Sequence, residues 1–142
     1  MQQFFTKFKG EAIGYTGGEA VMRFTPTGKQ VTTLPVAMGG NKGWPATWAD
    51  LVFWGDDAEV VQREFAVKGI GVIAEGNKVS VNAYIDKNGK AQGRLRLEWI
   101  NRLVKFAKGK ETEIELPSLK ASLKAFEDNG KTQVPDKEAV PV

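Results

Sequence analysis

Residues 1–107 read as short strands broken by turn residues, and in the clearest of them apolar and polar residues alternate with a period of two. Successive side chains of an extended chain point to opposite faces, so this pattern specifies short strands that each bury one face. The run from Trp48 to Trp54 is the clearest. It sets Trp48, Asp50, Val52 and Trp54 on one face and Ala49, Leu51 and Phe53 on the other. Before it, an opening segment with Phe4, Phe8 and Ile13 ends at Tyr15-Thr16-Gly17-Gly18, and Ala20 to Thr25 reaches the turn Pro26-Thr27-Gly28-Lys29. Gln30 to Met38 is rich in Val and Thr, and Pro35 marks an edge or a bulge there, because proline cannot donate to a ladder. A glycine-rich loop covers residues 39–47. Later, Ile70 to Ile85 reads as a long strand interrupted at Gly76, and Asn88-Gly89 supplies the positive φ of a hairpin turn. Arg94 to Asn101 then alternates Leu95, Leu97 and Trp99 against Arg94, Arg96 and Glu98, and Leu103 to Phe106 continues the strand.

One segment departs from this period. Asp56 to Val67 carries Ala58, Val61 and Phe65 along a helical stripe, with Asp56 as the expected cap, Glu59 three residues on, and Lys68-Gly69 as the expected end. The order is then strand, strand, strand, helix, strand, strand, with the helix between the third and fourth principal strands. That is the order of an OB-fold, a five-stranded Greek-key barrel that binds oligonucleotides or oligosaccharides on one face. Residues 1–107 are therefore expected to form an all-β barrel domain. Residues 108–142 are expected to be a polar, partly disordered tail, in which Leu119, Leu123 and Phe126 suit a short amphipathic helix.

The chain has no cysteine and no histidine. That excludes thiolate nucleophiles and thiolate metal sites, and removes the commonest general base and zinc ligand. Neither a Walker A spacing nor a G-x-G-x-x-G at a strand–helix junction occurs. The acidic group Asp56, Asp57 and Glu59 is explained by a helix start, which favours carboxylates. A binding protein without a cofactor is expected rather than an enzyme. No apolar run approaches the roughly 18–20 residues of a membrane span, and Met1-Gln2-Gln3-Phe4-Phe5 has no signal-peptide pattern, so a cytoplasmic protein with no membrane partner is expected. The net charge of +3 is unevenly divided: residues 1–110 hold 16 Lys and Arg against 10 Asp and Glu, and residues 111–142 hold 4 against 7. A basic body with an acidic end attracts polyanions over about a Debye length.

Four aromatics are oddly placed for a core. Trp44 lies in the glycine-rich loop, Trp48 and Trp54 share a strand face with a carboxylate, and Tyr84 approaches the hairpin tip. They suit a stacking platform for bases, worth ~1–3 kcal/mol per base; barrel core or an oligomer interface is the alternative. Basic residues surround them: Lys7, Lys9 and Arg23 early in the chain, Lys68 after the helix, and Lys87, Arg94 and Arg96 around the hairpin. They would line a groove that follows phosphates, or else form a solvated charged surface.

Several of these stretches resemble the bacterial single-stranded DNA-binding protein family. Arg23-Phe24-Thr25-Pro26-Thr27-Gly28-Lys29 with Val31 to Met38 is similar to its R-[YF]-x-P-x-G-x-x-V segment. Trp54-Gly55-Asp56-Asp57-Ala58-Glu59-Val60 is similar to its run into the helix. Lys68-Gly69 through Glu75-Gly76 is similar to its fourth-strand motif, and Asp86-Lys87-Asn88-Gly89-Lys90 to its hairpin. The resemblance spans about residues 5–107. It implies an OB-fold, assembly as a homotetramer or dimer, and sequence-independent binding and protection of single-stranded DNA in replication, recombination or repair, in the nucleoid. The family's stacking aromatics fall on Trp44, Trp48, Trp54 and Tyr84, and its phosphate-contacting lysine on Lys68. The sequence departs from the family at Asp50 and Asp56, where basic residues are usual, and at Asn82-Ala83, which replace a basic pair. It also departs in a shorter loop around Trp44 and in an end, Glu138-Ala139-Val140-Pro141-Val142, that lacks the acidic tip recruiting replication proteins. Two other functions fit the same residues: a primosomal-type paralogue that chiefly contacts replication proteins, and an OB-fold that binds RNA or oligosaccharide.

Overall fold

The structure, a computed structural model, describes residues 8–40, 42–121 and Lys124. Its elements are β1 (Gly10–Thr16), β2 (Val21–Phe24), β3 (Gln30–Gly39), β4 (Ala46–Trp54), α1 (Asp56–Glu64), β5 (Gly71–Ile85), β6 (Ala91–Ala107) and β7 (Lys110–Glu113). The chain is mostly β, in one sheet ordered β1-β5-β6-β4-β3-β2, and β1 also pairs with β3. Five strands thereby close into a ring, with β2 and β7 attached outside it. The helix lies between the third and fourth of the ring strands, as the sequence predicts.

Closure depends on a small residue. A Cβ at Gly14 would sit 2.2 Å from the Ala37 carbonyl oxygen, so glycine lets β1 approach β3. Pro35 lies in no bulge, but at a locally unpaired edge of β3. It pairs with Asp50 on the β4 side, and on the other side it falls between the residues of β3 that pair β2 (30–33) and those that pair β1 (36–37). No ladder bond there needs its missing N–H.

The ring interior is filled by Leu34, Val36, Leu51, Phe53, Val72, Ala74, Leu97 and Leu103. Each buried aliphatic side chain contributes ~1.5–3 kcal/mol relative to exposure. α1 lays Ala58, Val61 and Phe65 inward as the stripe predicts, and the buried Thr32 hydroxyl ties it to β3 by donating to the Ala58 carbonyl at 2.7 Å. Its ends differ from the expected ones. The cap is Gly55 at φ 63 with no side-chain hydrogen bond, and the helix stops at Glu64 instead of Val67. Asp56 is the first helical residue, and Glu59 accepts from the Gln30 amide at 2.8 Å rather than completing a capping box.

Beyond Ala107, where the sequence suggests a polar, partly disordered tail with a short amphipathic helix, the fold continues. Lys108 and Gly109 both take positive φ (55° and 72°), as a two-residue primed hairpin turn requires, and β7 pairs back on β6. Ile114 and Leu116 enter the core cluster. Residues 117–121 then turn helically, and Ser118 donates its N–H and hydroxyl to the Asp57 carboxylate at 2.9 and 2.5 Å. Asp57 thus caps a neighbouring turn and not its own helix. Leu119 is described, while Leu123 and Phe126 lie outside the described residues.

Candidate nucleic-acid interface

The outward face of the sheet can be read row by row, because residues paired across antiparallel strands point to the same side. One row runs Arg23–Val31–Trp54 across β2, β3 and β4. Another runs Pro35–Asp50–Arg96–Ser80 across β3, β4, β6 and β5. A third joins Tyr15, Ala37 and Trp48, and on the hairpin arm Asn82 pairs with Arg94 and Tyr84 with Gln92. On β4 the expected parity holds. Ala49, Leu51 and Phe53 are buried, whereas Trp48 and Trp54 remain 38% and 40% exposed. Val52 shares the outward parity but is buried.

Trp48 is held in its place by two neighbours. A Cβ at Gly17 would lie 2.1 Å from its ring, so the indole rests directly on glycine backbone at the end of β1. The Arg94 guanidinium stands 5.4 Å from the ring centroid, within cation–π range. Asp50 holds that guanidinium with two bonds, Nε to Oδ2 at 2.9 Å and Nη2 to Oδ1 at 2.6 Å. These hydrogen bonds raise the Arg94 pKa above its ordinary value. Trp48, Tyr84, Gln92 and Arg94 wall a groove of about 400 Å³, large enough for a flat ring. A second groove of about 570 Å³ lies between Trp54, Phe24, Lys29 and Gln30.

The other residues singled out by sequence are distributed unevenly. Trp44 is exposed in the loop before β4, and Lys87 is exposed in the hairpin turn. There Asp86 accepts from the Gln92 side chain and from the Lys90 and Asn88 N–H groups, which lowers its pKa. Lys68 is exposed on the turn that hydrogen-bonds to Thr16, next to the Gly17 under Trp48. Arg23 shares the Trp54 row. Lys9 instead pairs with Glu75 at 3.0 Å, and Arg96 lies against Glu98. Lys7 lies outside the described residues.

Sequence reading passed over Gly17, Phe24 and the role of Asp50 as the partner of Arg94. The alternation also groups Trp99 with Leu95 and Leu97, but Trp99 is 61% exposed at φ 54 while Leu97 is buried. Among the described residues no group of three or more Asp or Glu could hold a metal ion, and no helix is long and apolar enough to cross a membrane. Compared with known protein families and with curated proteins, the sequence matches none.

Proposed function

We propose that the chain is a non-enzymatic module that binds single-stranded DNA without sequence preference, on an OB-type five-stranded ring. Bases would stack on Trp48, Trp54, Tyr84 and the loop residue Trp44, while Arg23, Lys68, Lys87 and, once released from Asp50, Arg94 would meet phosphates. The observation that supports this most is β4 itself: one side is core, and the other offers two half-exposed indoles with a guanidinium between the strands. An apolar core function does not account for indoles on the outward parity. On this reading the protein works at single-stranded DNA in replication, recombination or repair, in the cytoplasm at the nucleoid, and as a homo-oligomer.

Tryptophan fluorescence provides the test. Oligo(dT) is expected to quench emission strongly and the matching duplex far less, because only unpaired bases can reach a flat ring. Equal quenching by both would replace the stacking platform with a purely electrostatic surface. Oligo(U) in parallel separates DNA from RNA preference. A second reading has one observation in its favour: Lys9, Arg94 and Arg96 are each engaged by a carboxylate of the same chain. Fewer free cations suit a primosomal-type protein whose main contacts are with other proteins. Absence of quenching by any oligonucleotide would select that reading.

A further inference from the structure

Trp99 occupies a conformation that a bulky L-residue rarely adopts, φ 54 in the middle of a strand. Its neighbours explain how. Leu97 and Ile100 both face the core although they are three residues apart, and so do Val79 and Gly76 opposite them. The ladder keeps one register from Gly76↔Ile100 to Val79↔Leu97, which sets Asn77 opposite Trp99, and the register shifts just beyond, between Glu75 and Gly76, where Asn101 is the extra residue of β6. Beside that bulge the Trp99 indole stands out in solvent. Asn77 Oδ1, opposite it, is buried without a hydrogen-bond partner among the described residues. Neither feature stabilises the fold, and strained positions of this kind concentrate where a ligand is held.

The surroundings of the ring identify the ligand. Lys78 Nζ stands 5.5 Å from the Trp99 centroid. Lys78 has the outward parity of Ser80, Asn82 and Tyr84 along β5, so it ends a file of side chains that starts at the Tyr84 groove. The file is roughly 20 Å long at the rise of an extended strand. A groove lined by Lys78, Ser80, Asn82 and Arg96 runs beside it. Glu98, the carboxylate that also lines this groove, is already engaged by Arg96. We infer that Trp99 and Lys78 form an outlying stacking and phosphate site for the same single strand, which leaves the Tyr84 groove and follows β5 to the bulge. This rests on the proposed DNA-binding function and extends its path by one aromatic.

The test compares Trp99→Gly with Trp54→Ala, using oligo(dT) of about 16 nucleotides, the upper end of OB-fold site sizes, and of about 4. Glycine accepts the positive φ, so the backbone at the bulge is relaxed and not broken. Trp99→Gly is expected to weaken the long oligonucleotide about 5- to 100-fold, the equivalent of one lost base stack, and to leave the short one unchanged. Trp99→Phe should restore most of the affinity. Lys78→Gln should flatten the slope of log K against log[salt] by ~0.7 for the long oligonucleotide. If Trp54→Ala weakens binding while Trp99→Gly does not, this site falls and the DNA-binding function stands. If the unmodified chain binds neither oligonucleotide, both fall. A Trp99→Gly protein that sediments as a smaller species with unchanged binding per protomer would make the indole a subunit contact and overturn the site. Should Trp99→Gly not fold, an unchanged salt slope for Lys78→Gln overturns it equally.

Discussion

Asp50 is the residue on which the electrostatics of the proposed face turn. Its carboxylate holds Arg94 near the Trp48 ring with two short bonds, so a base stacking on that ring competes with a guanidinium. Charge-assisted bidentate pairs of this kind are among the stronger polar contacts. Removing the charge but keeping the shape should free the arginine for phosphate. Asp50→Asn is expected to tighten oligo(dT) binding at low salt and to steepen the salt slope by ~0.7, one further phosphate contact on a single strand. Its melting temperature should change little, because partly exposed pairs contribute ~0–1 kcal/mol. Fluorescence titrations at several salt concentrations measure this, and an unchanged slope would remove Arg94 from the phosphate path. Gly17 belongs to the same scale. Its missing Cβ is the floor on which Trp48 lies, a steric role with no signature in a single residue type.

Among the elements, β7 and the segment after it were the least legible. The four residues of β7 are all exposed and polar, so no apolar alternation announces a strand. What announces it is the turn, since Lys108 and Gly109 take the two positive φ values of a primed hairpin. Ile114 and Leu116 then look like isolated apolar residues in a polar stretch, yet both are buried, Leu116 almost completely. Leu116→Ala should therefore destabilise the domain by ~2–5 kcal/mol, as core truncations do. A chain ending at Lys110 should melt markedly lower than the whole chain in calorimetry. Equal melting temperatures would mean that the segment only rests on the surface. The helix was easier to find than to delimit: its stripe of Ala58, Val61 and Phe65 is local, but its cap is Gly55 and not Asp56, and Asp57 in its first turn is bound by Ser118, 61 residues away.

At the scale of the molecule, the ring leaves an apolar patch on the outer side of β1 and β6. Ile13, Tyr15 and Phe106 are exposed there around a groove that shares no lining residue with the one beside Tyr84, although Tyr15 also ends the Trp48 row. Exposed apolar patches of this kind mark association surfaces, and a homo-oligomer would cover it. Ile13→Arg is expected to shift the sedimentation coefficient toward that of a single protomer. Because Ile13 is already exposed, secondary structure should be retained. No change in sedimentation would move the subunit contact elsewhere. The uneven charge fits the same picture, with a basic body available to a polyanion and an acidic end beyond residue 110.

Parity and punctuation were written in the sequence alone. A period of two determined which side of β4 carries Trp48 and Trp54, Asn88-Gly89 determined the hairpin, and one helical stripe determined where the helix interrupts the strands. These are properties of consecutive residues, so no partner is needed to read them. Tertiary structure decided whatever depends on which strands become neighbours. Arg94 meets Asp50 only because β4 and β6 lie side by side in parallel, and Tyr15 joins the Trp48 row only because β1 reaches β3 to close the ring. Trp99 is the sharpest case, since its alternation points inward. It turns outward at a positive φ beside the register shift between β5 and β6, two long strands of the closed ring, where local pattern yields to register.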